Sequence, residues 1–200
     1  MANYRAIGAV CEAVVRLLQQ SWRPELFDDA TLQFRVYRTR NFDAPMDRGV
    51  SLFLYRVAVN TAARTPPARP VPPPPAGRQR RPQLPLDLHF LLTPWAQEAS
   101  LEQEILGWMM RTLEDTPTLP AGLLNSLAPG VFHPDEQVQI VLGQLANEEL
   151  FRIWDVLPGN YQISVPYIAR VVYIDSELER LEAGPVLARQ MDFGVIEDAP

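Results

Sequence analysis

An alternation of apolar residues between Arg81 and Trp95 is the feature that most constrains how this chain folds. Leucine or phenylalanine stands at every second position from Leu84 to Leu92, and a period of two over this length is typical of a β-strand with one buried face. Pro94 has no N–H to give to a strand ladder, so the strand is predicted to end there. We expect this strand to lie in the sheet against which the domain packs.

An amphipathic helix is predicted directly after that strand. The segment Ser100–Gln103 has the form of a capping box, in which the serine oxygen accepts a backbone N–H and the glutamine side chain binds back to the start of the helix. Apolar residues then recur at helical spacing, and five of them share one face: Leu101, Ile105, Trp108, Met109 and Leu113. The two elements together indicate a strand that leads into a helix covering the sheet.

The same two periods recur along the rest of the chain. Spacings of three and four residues predict helices at 3–20 and 147–157, and alternation predicts strands at 31–37, 50–59, 137–142 and 161–174. Because strands follow one another in pairs, rather than alternating one by one with helices, the order favours the α+β class over a parallel α/β fold. We expect a mixed, largely antiparallel sheet with helices packed on one side of it.

Composition limits the partners and compartments that suit this chain. With 200 residues, we assign 1–175 to one domain and the carboxylate-rich remainder, 176–200, to an acidic tail. The formal charge of −6 and the pI near 5 argue against binding to nucleic acid. The one cysteine, Cys11, excludes an internal disulfide, and its helical surroundings favour a small buried residue over a reactive thiol. No stretch reaches the ~20 apolar residues of a membrane-spanning helix, so membrane insertion is not expected.

A proline- and arginine-rich insertion interrupts the domain at 61–83. It holds eight prolines and five arginines, which are Arg64, Arg69, Arg78, Arg80 and Arg81. Such a composition does not bury a core, and its run of four prolines at 72–75 favours an extended polyproline II form. Two interpretations remain open: a solvated, flexible insertion, or a basic arm that lies on an acidic partner.

Candidate catalytic chemistry is limited to one pair of side chains. Asp87 and His89 share a face of the predicted central strand, but a general acid–base pair also needs a cleft and a third group to act on. The other histidine, His133, lies in a turn beside Asp135 and Glu136, where such residues are ordinary. The sequence shows no nucleotide-binding, nucleophile-elbow or zinc-protease motif. A structural pair is therefore favoured over a small hydrolase, and neither a metal nor a cofactor is expected.

Several stretches together resemble one protein family. They are SLFLYRV at 51–57 followed by Asn60, RPQLPLDLHFLLTPW at 81–95, EILGWMM at 104–110 with DTP at 115–117, and LFRIW at 150–154 before YQIS at 161–164. They are similar to the N-terminal domain of the cap, or tail-terminator, proteins of extracellular, phage-tail-like contractile injection systems. The resemblance covers residues 7–174 and leaves out the individual residues of the arm and the tail.

This resemblance implies a structural role without turnover. Proteins of the family form a homohexameric ring at the distal end of the inner tube and the contractile sheath, where the ring ends both polymers and stabilises them. The implied partners are copies of the chain itself, sheath subunits and inner-tube subunits, and no cofactor is involved. Assembly is expected in the bacterial cytoplasm, as part of a particle that is released outside the cell in some systems.

Partner contacts are expected at two places. A free edge on the long predicted strand 161–174 would accept a partner strand by β-augmentation, unless the strand is wholly paired in its own sheet. Its alternate residues Tyr161, Ile163, Val165 and Tyr167 are the candidates. The arginines of the arm are the second candidate, for an adjacent subunit or an acidic rim of the tube. An alternative function is an adaptor that presents its proline-rich arm to an aromatic groove of another protein.

Overall fold

The computed structural model describes residues 2–27, 29–64, 69–70 and 78–181; for Leu26 and for residues 69–70, 78–80 and 179–181 it describes the backbone alone. Within these ranges the helices are α1 (Ala6–Ser21), α2 (Ala99–Asp115), α3 (Ala121–Leu124) and α4 (Asn147–Asp155), with 3-10 turns at Pro24–Leu26 and Thr39–Phe42. The strands are β1 (Gln33–Tyr37), β2 (Gly49–Val59), β3 (Arg69–Pro70), β4 (Arg78–Arg80), β5 (Leu84–Trp95), β6 (Thr118–Pro120), β7 (Gln137–Leu142), β8 (Val165–Ile174) and β9 (Glu179–Leu181).

A six-stranded sheet in the order β1-β2-β5-β8-β7-β6 forms the centre of the fold. The β1–β2 pair is parallel, and every other pair in this sheet is antiparallel. The predicted α+β class with a mixed, largely antiparallel sheet is confirmed. β5 lies between β2 and β8 inside the sheet, and nine of its twelve residues are buried.

The alternation in β5 divides the sheet into two faces. Its even-numbered apolar residues are buried on one face beneath α1 and α2: Leu86, Leu88, Phe90 and Leu92. The prediction that Pro94 ends the strand is wrong, because Pro94 pairs with Val50 and β5 continues to Trp95. The β5–β8 pairing stops at Leu92, so on that side no ladder demands an N–H from Pro94.

The helix that follows β5 has the predicted apolar face but not the predicted cap. Five residues pack into or against the main core, namely Leu101, Ile105, Trp108, Met109 and Leu113. No side chain caps α2, so the capping box of Ser100 and Gln103 is wrong. Ser100 is already the second residue of the helix, and its hydroxyl therefore no longer lies at the cap position.

A second, aromatic cluster lies on the opposite face of the sheet. Its buried members are Tyr37, Phe42, Met46, Trp95, Trp154 and Leu157. Trp95 stands at an odd-numbered position of β5, out of phase with the even-numbered residues of the main core, so the two clusters occupy different faces. Because α4 covers the aromatic cluster, the prediction of helices on one side alone is wrong.

Parts of the proline- and arginine-rich arm are paired with the segment after β8. β3 pairs with β4, and β4 pairs with β9, so these three short strands form a separate sheet. Residues 69–70, 78–80 and 179–181 are thus extended and hydrogen-bonded. The rest of the arm, 65–68 and 71–77, and the tail from 182 onwards lie outside the described residues, so their flexibility and solvation remain predictions.

The single cysteine confirms the prediction made for it. Cys11 lies on the buried side of α1 and is 4% exposed. Burial raises the pKa of its thiol to about 12, and the nearby Glu12 carboxylate acts in the same direction. The thiol therefore behaves as a small core residue.

Candidate assembly surfaces

Two of the predicted partner-binding residues are exposed apolar side chains in the segment that follows α4. Tyr161 and Ile163 are 49% and 38% exposed, while Phe151 of α4 and Val156 just after it are 51% and 77% exposed. The rings of Phe151 and Tyr161 are in contact, with 5.4 Å between their centroids. We call these four residues the α4 patch. A group of exposed apolar side chains is typical of a protein–protein contact site.

Trp154 anchors the α4 patch to the aromatic cluster. Its indole N–H donates to Ser164 Oγ over 3.1 Å, and both residues are buried. The ring of Tyr161 lies 6.1 Å from this indole, centroid to centroid. A groove of about 380 Å³ opens between α4 and the segment 157–161. The surface is therefore shaped by packed side chains rather than by a loop alone.

The strand predicted at 161–174 begins only at Val165 and has no free edge along its middle. β5 pairs with nearly the whole of it, and β7 pairs with Tyr167–Arg170. Tyr167 is 5% exposed, and burial, aided by the Glu114 carboxylate, raises its pKa to about 12. Strand addition at Tyr167 would therefore require β7 to leave the sheet. The side chain of Val165, the fourth candidate, is half-buried. Partner contact through Tyr161 and Ile163, the two predicted residues that belong to the α4 patch, remains a prediction.

Among the described residues, β1 pairs with a strand on one side alone, so it is the open edge of the six-stranded sheet. Gln33 gives its N–H to the carbonyl oxygen of Arg48, beside β2, over 3.1 Å. Alternate residues of a parallel strand face the same neighbour, so the backbone groups of Phe34 and Val36 face outward. An outward row of N–H and C=O groups is a template for another chain.

The opposite edge of the sheet is closed to such pairing. β6 is three residues long and ends at Pro120. Pro117 precedes the strand, and its carbonyl already accepts the N–H of Ile140 over 2.7 Å. A short edge between prolines offers few N–H groups to a further strand.

Exposed arginines lie on β1 and directly after it. Arg35, Arg38 and Arg40 are all exposed, and within the described ranges none of them forms an ion pair. Our sequence predictions missed this surface. A signal was available, because a strand of five residues that leads into charged residues is typical of a sheet edge.

The arginines of the arm are only partly within the described structure. Arg64 and Arg81 are exposed, and the N–H of Arg81 donates to the carbonyl of Leu178 over 3.4 Å. The backbones of three others lie in the separate three-stranded sheet, while their side chains are outside the described atoms: Arg69, Arg78 and Arg80. Binding of these arginines to an acidic partner remains a prediction.

Asp87 and His89, the candidate catalytic pair, lie half-buried on the face of β5 turned away from the main core. Asn60 Nδ2 donates to both carboxylate oxygens of Asp87, over 3.2 and 3.0 Å. The His89 ring lies 6.1 Å from that of Tyr55. Burial and the nearby Arg56 guanidinium lower the pKa of His89, although the Asp87 carboxylate opposes them. Since Asn60 holds the carboxylate at the end of β2, this geometry favours the structural interpretation.

Metal-binding clusters and membrane-spanning helices were both considered for the part of the chain that the structure describes. In that part, no three side chains of His, Cys, Asp or Glu converge in a way that would hold a metal ion. None of its helices combines the length and the apolar character that crossing a bilayer requires.

A known protein family matches nearly the whole sequence. The family defined as the Pvc16 N-terminal domain matches residues 9–188. The chain belongs to the Pvc16 N-terminal domain family. The family resemblance inferred from the sequence is therefore confirmed. No curated protein matches this Pvc16 N-terminal domain chain.

Two solved structures share the fold of this Pvc16 N-terminal domain. One is the sheath/tube terminator of an extracellular contractile injection system, PVC, in its extended state; it is 19% identical, with a TM-score of 0.60 over 96% of this chain and 64% of that one. The other is the tube-terminating cap of the anti-feeding prophage, 18% identical, with a TM-score of 0.57 over 92% of this chain and 60% of that one. The chain thus spans less than two thirds of each of these structures.

Proposed function

We propose that this protein is a structural terminator, which ends and stabilises the inner tube and sheath at the distal end of a contractile injection particle. The observation that carries the proposal is the shared fold, since 96% of the chain aligns with a sheath/tube terminator. A second protein with this fold is a tube-terminating cap. In this role the chain binds other proteins and catalyses no reaction.

The described surfaces support such a role. A terminator must hold the last subunits of a polymer while offering no equivalent site for a further subunit. The open β1 edge and the α4 patch supply surfaces for contact, whereas the prolines around β6 close the other edge of the sheet. This asymmetry is what a protein at the end of a polymer requires.

The proposed partners are copies of the chain in a homohexameric ring, together with sheath and inner-tube subunits. A closed ring uses head-to-tail contacts, so two different surfaces of each copy must match. Assembly would take place in the bacterial cytoplasm, before any release of the particle. Neither nucleic acid nor membrane insertion belongs to this role.

Electron microscopy of particles made without this chain tests the proposal. We expect sheaths of irregular length, or with damaged distal ends, because nothing then stops the addition or loss of subunits there. Supplying the chain from a plasmid should restore uniform sheaths. Particles of normal, uniform length with intact ends in its absence would rule the proposal out.

A variant of the half-buried polar pair separates this role from catalysis. Asp87→Asn combined with His89→Gln removes both ionisable groups while nearly keeping their size, and we expect particles with normal ends. Loss of normal ends, with an unchanged circular dichroism spectrum, would favour the small hydrolase instead. The two similar structures are a sheath/tube terminator and a tube-terminating cap, so the hydrolase and adaptor alternatives are not favoured.

A further inference from the structure

A groove between α2 and β7 lies across the sheet from the open β1 edge. It has a volume of about 380 Å³ and is lined by Gly107, Met110, Arg111, Glu114, Leu142 and Tyr167. Met110 and Leu142 are 36% and 56% exposed, so apolar carbon is accessible on both sides of the groove. We call this surface the α2–β7 groove.

Glu114 gives the α2–β7 groove a carboxylate, and Arg111 on the same groove lies near enough to act on it electrostatically. It is exposed and forms no ion pair there, because the neighbouring Arg111 binds Asp115 instead. Glu114 and the buried Tyr167 both line the groove, and the carboxylate contributes to the raised pKa of Tyr167. Apolar carbon beside a carboxylate suits an arginine, whose stem packs while its guanidinium binds the acid.

The arginines of the β1 edge have the complementary chemistry but do not reach the groove within one molecule. Arg35 and Arg38 are exposed and without ion pairs among the described residues. Arg35 shares the face of β1 with Tyr37 of the aromatic cluster, whereas α2, which carries Glu114, packs on the main core across the sheet. The sheet therefore stands between Arg35 and Glu114 within one molecule, so a contact between these surfaces needs two molecules.

We propose that the α2–β7 groove of one copy receives an arginine from the β1 edge of a second copy. The stem of Arg35 or Arg38 lies against Met110 and Leu142, and its guanidinium binds Glu114. Two different surfaces meet in this contact, so successive copies join head to tail, as a ring requires. The inference rests on the proposed function, which calls for a ring, and it names the surfaces that join the subunits.

Charge reversal on the purified full-length chain tests the inference. Arg35→Glu with Arg38→Glu, and separately Glu114→Arg, should each weaken self-association at least about 100-fold, because like charges then face each other. Combining all three substitutions should restore association, since the charges are exchanged. Arg170→Glu and Glu12→Arg, which reverse exposed charges elsewhere, are the matched controls and should leave it unchanged. Mass from light scattering and sedimentation is the measurement.

Three outcomes would overturn the inference. They are a wild-type chain that stays monomeric at every concentration tested, association that survives both reversals, and a combined variant that fails to recover. If a reversed variant proves unfolded by circular dichroism, the milder Arg35→Gln with Arg38→Gln and Glu114→Gln replace it, with an expected loss of about 10-fold each. None of these outcomes decides the terminator role, which is tested by the state of the sheath ends. The proposed subunit contact and the proposed function can therefore fail independently.

Discussion

Two tryptophans of the aromatic cluster donate their indole N–H groups to serine hydroxyls. Trp95 donates to Ser51 Oγ over 2.8 Å, and Trp154 donates to Ser164 Oγ over 3.1 Å. A buried N–H without an acceptor destabilises the folded state, so each serine is required at its position. Neither pairing could be predicted from sequence, because Ser51 and Trp95 lie 44 residues apart and meet only through the β2–β5 register.

Replacement of the first of these serines should therefore cost stability. We expect Ser51→Ala to lower the free energy of unfolding by about 1–3 kcal/mol, since the Trp95 N–H then has no acceptor. Urea unfolding followed by tryptophan fluorescence measures the change. Ser126→Ala, at an exposed position, should stay within about 0.5 kcal/mol of wild type. Equal effects of the two substitutions would contradict the role assigned to this hydrogen bond.

The thiol of Cys11 should be unreactive in the folded protein. Folding raises its pKa from about 9 to about 12, so at pH 8 the thiol is both neutral and covered. An aromatic disulfide reagent should label it only as fast as the protein unfolds, and completely in urea.

The raised pKa of Cys11 also stabilises the fold below pH ~9, and this contribution is lost as the pH rises towards 12. Cys11→Ala should lack that loss; rapid labelling at pH 8 without denaturant would show that the thiol is accessible.

At the scale of single elements, long periodic strands were predictable and short ones were not. β5 alternates over most of its length, and this pattern holds whatever packs on it. β6 has three residues beside Pro117 and Pro120, which is too short to show any period. The alternation from Tyr161 also misled the prediction of β8, because Trp154 binds Ser164 and draws that segment towards α4.

The open edge of β1 should tolerate proline only where the backbone faces outward. Val36→Pro removes an outward N–H and part of the packing of a half-buried side chain against the main core, so we expect it to lower the unfolding free energy by about 1 kcal/mol. Arg35→Pro removes an N–H that faces β2, and should cost more than the first substitution because a ladder bond is lost. Thermal unfolding compares the two. A larger cost for Val36→Pro would mean that the backbone of Val36, and not that of Arg35, faces β2.

The α4 patch should matter for assembly more than for folding. We expect Phe151→Ser with Ile163→Ser to reduce the share of particles that carry the chain at least several-fold, because the apolar surface for a partner is lost. Quantitative immunoblotting of purified particles measures this share. Leu127→Ser, which removes an apolar side chain that is 57% exposed elsewhere, is the control. If both variants are incorporated equally, the α4 patch does not contact a partner in the particle.

For the whole molecule, composition predicted the balance of charge but not its arrangement. The formal charge of −6 indicates an acidic protein. It does not indicate that Arg35 and Arg38 lie on one side of the sheet and Glu114 on the other, because strand order decides this. The fold class followed from the order of elements, and the family followed from a resemblance; the assembly surfaces needed the three-dimensional register.

The main core and the aromatic cluster should unfold together. β5 supplies Phe90 to the first and Trp95 to the second, so neither cluster can lose this strand alone. We expect fluorescence of Trp108 and of Trp154, each isolated by replacing the other tryptophans with phenylalanine, to give one midpoint in urea. Two separate midpoints would show that α4 and its cluster are an independent unit.

Identical chains held close together usually risk zipping their edge strands into an endless sheet, the first step towards fibres. β6 spans only Thr118–Pro120, so it has almost no backbone to lend to the β1 of a neighbour. In the proposed ring, side chains would then hold the copies together, and growth would stop once the ring is closed. Concentrated salt would screen the charges and dissociate such a ring while every subunit stayed folded, and the ring would re-form after dialysis.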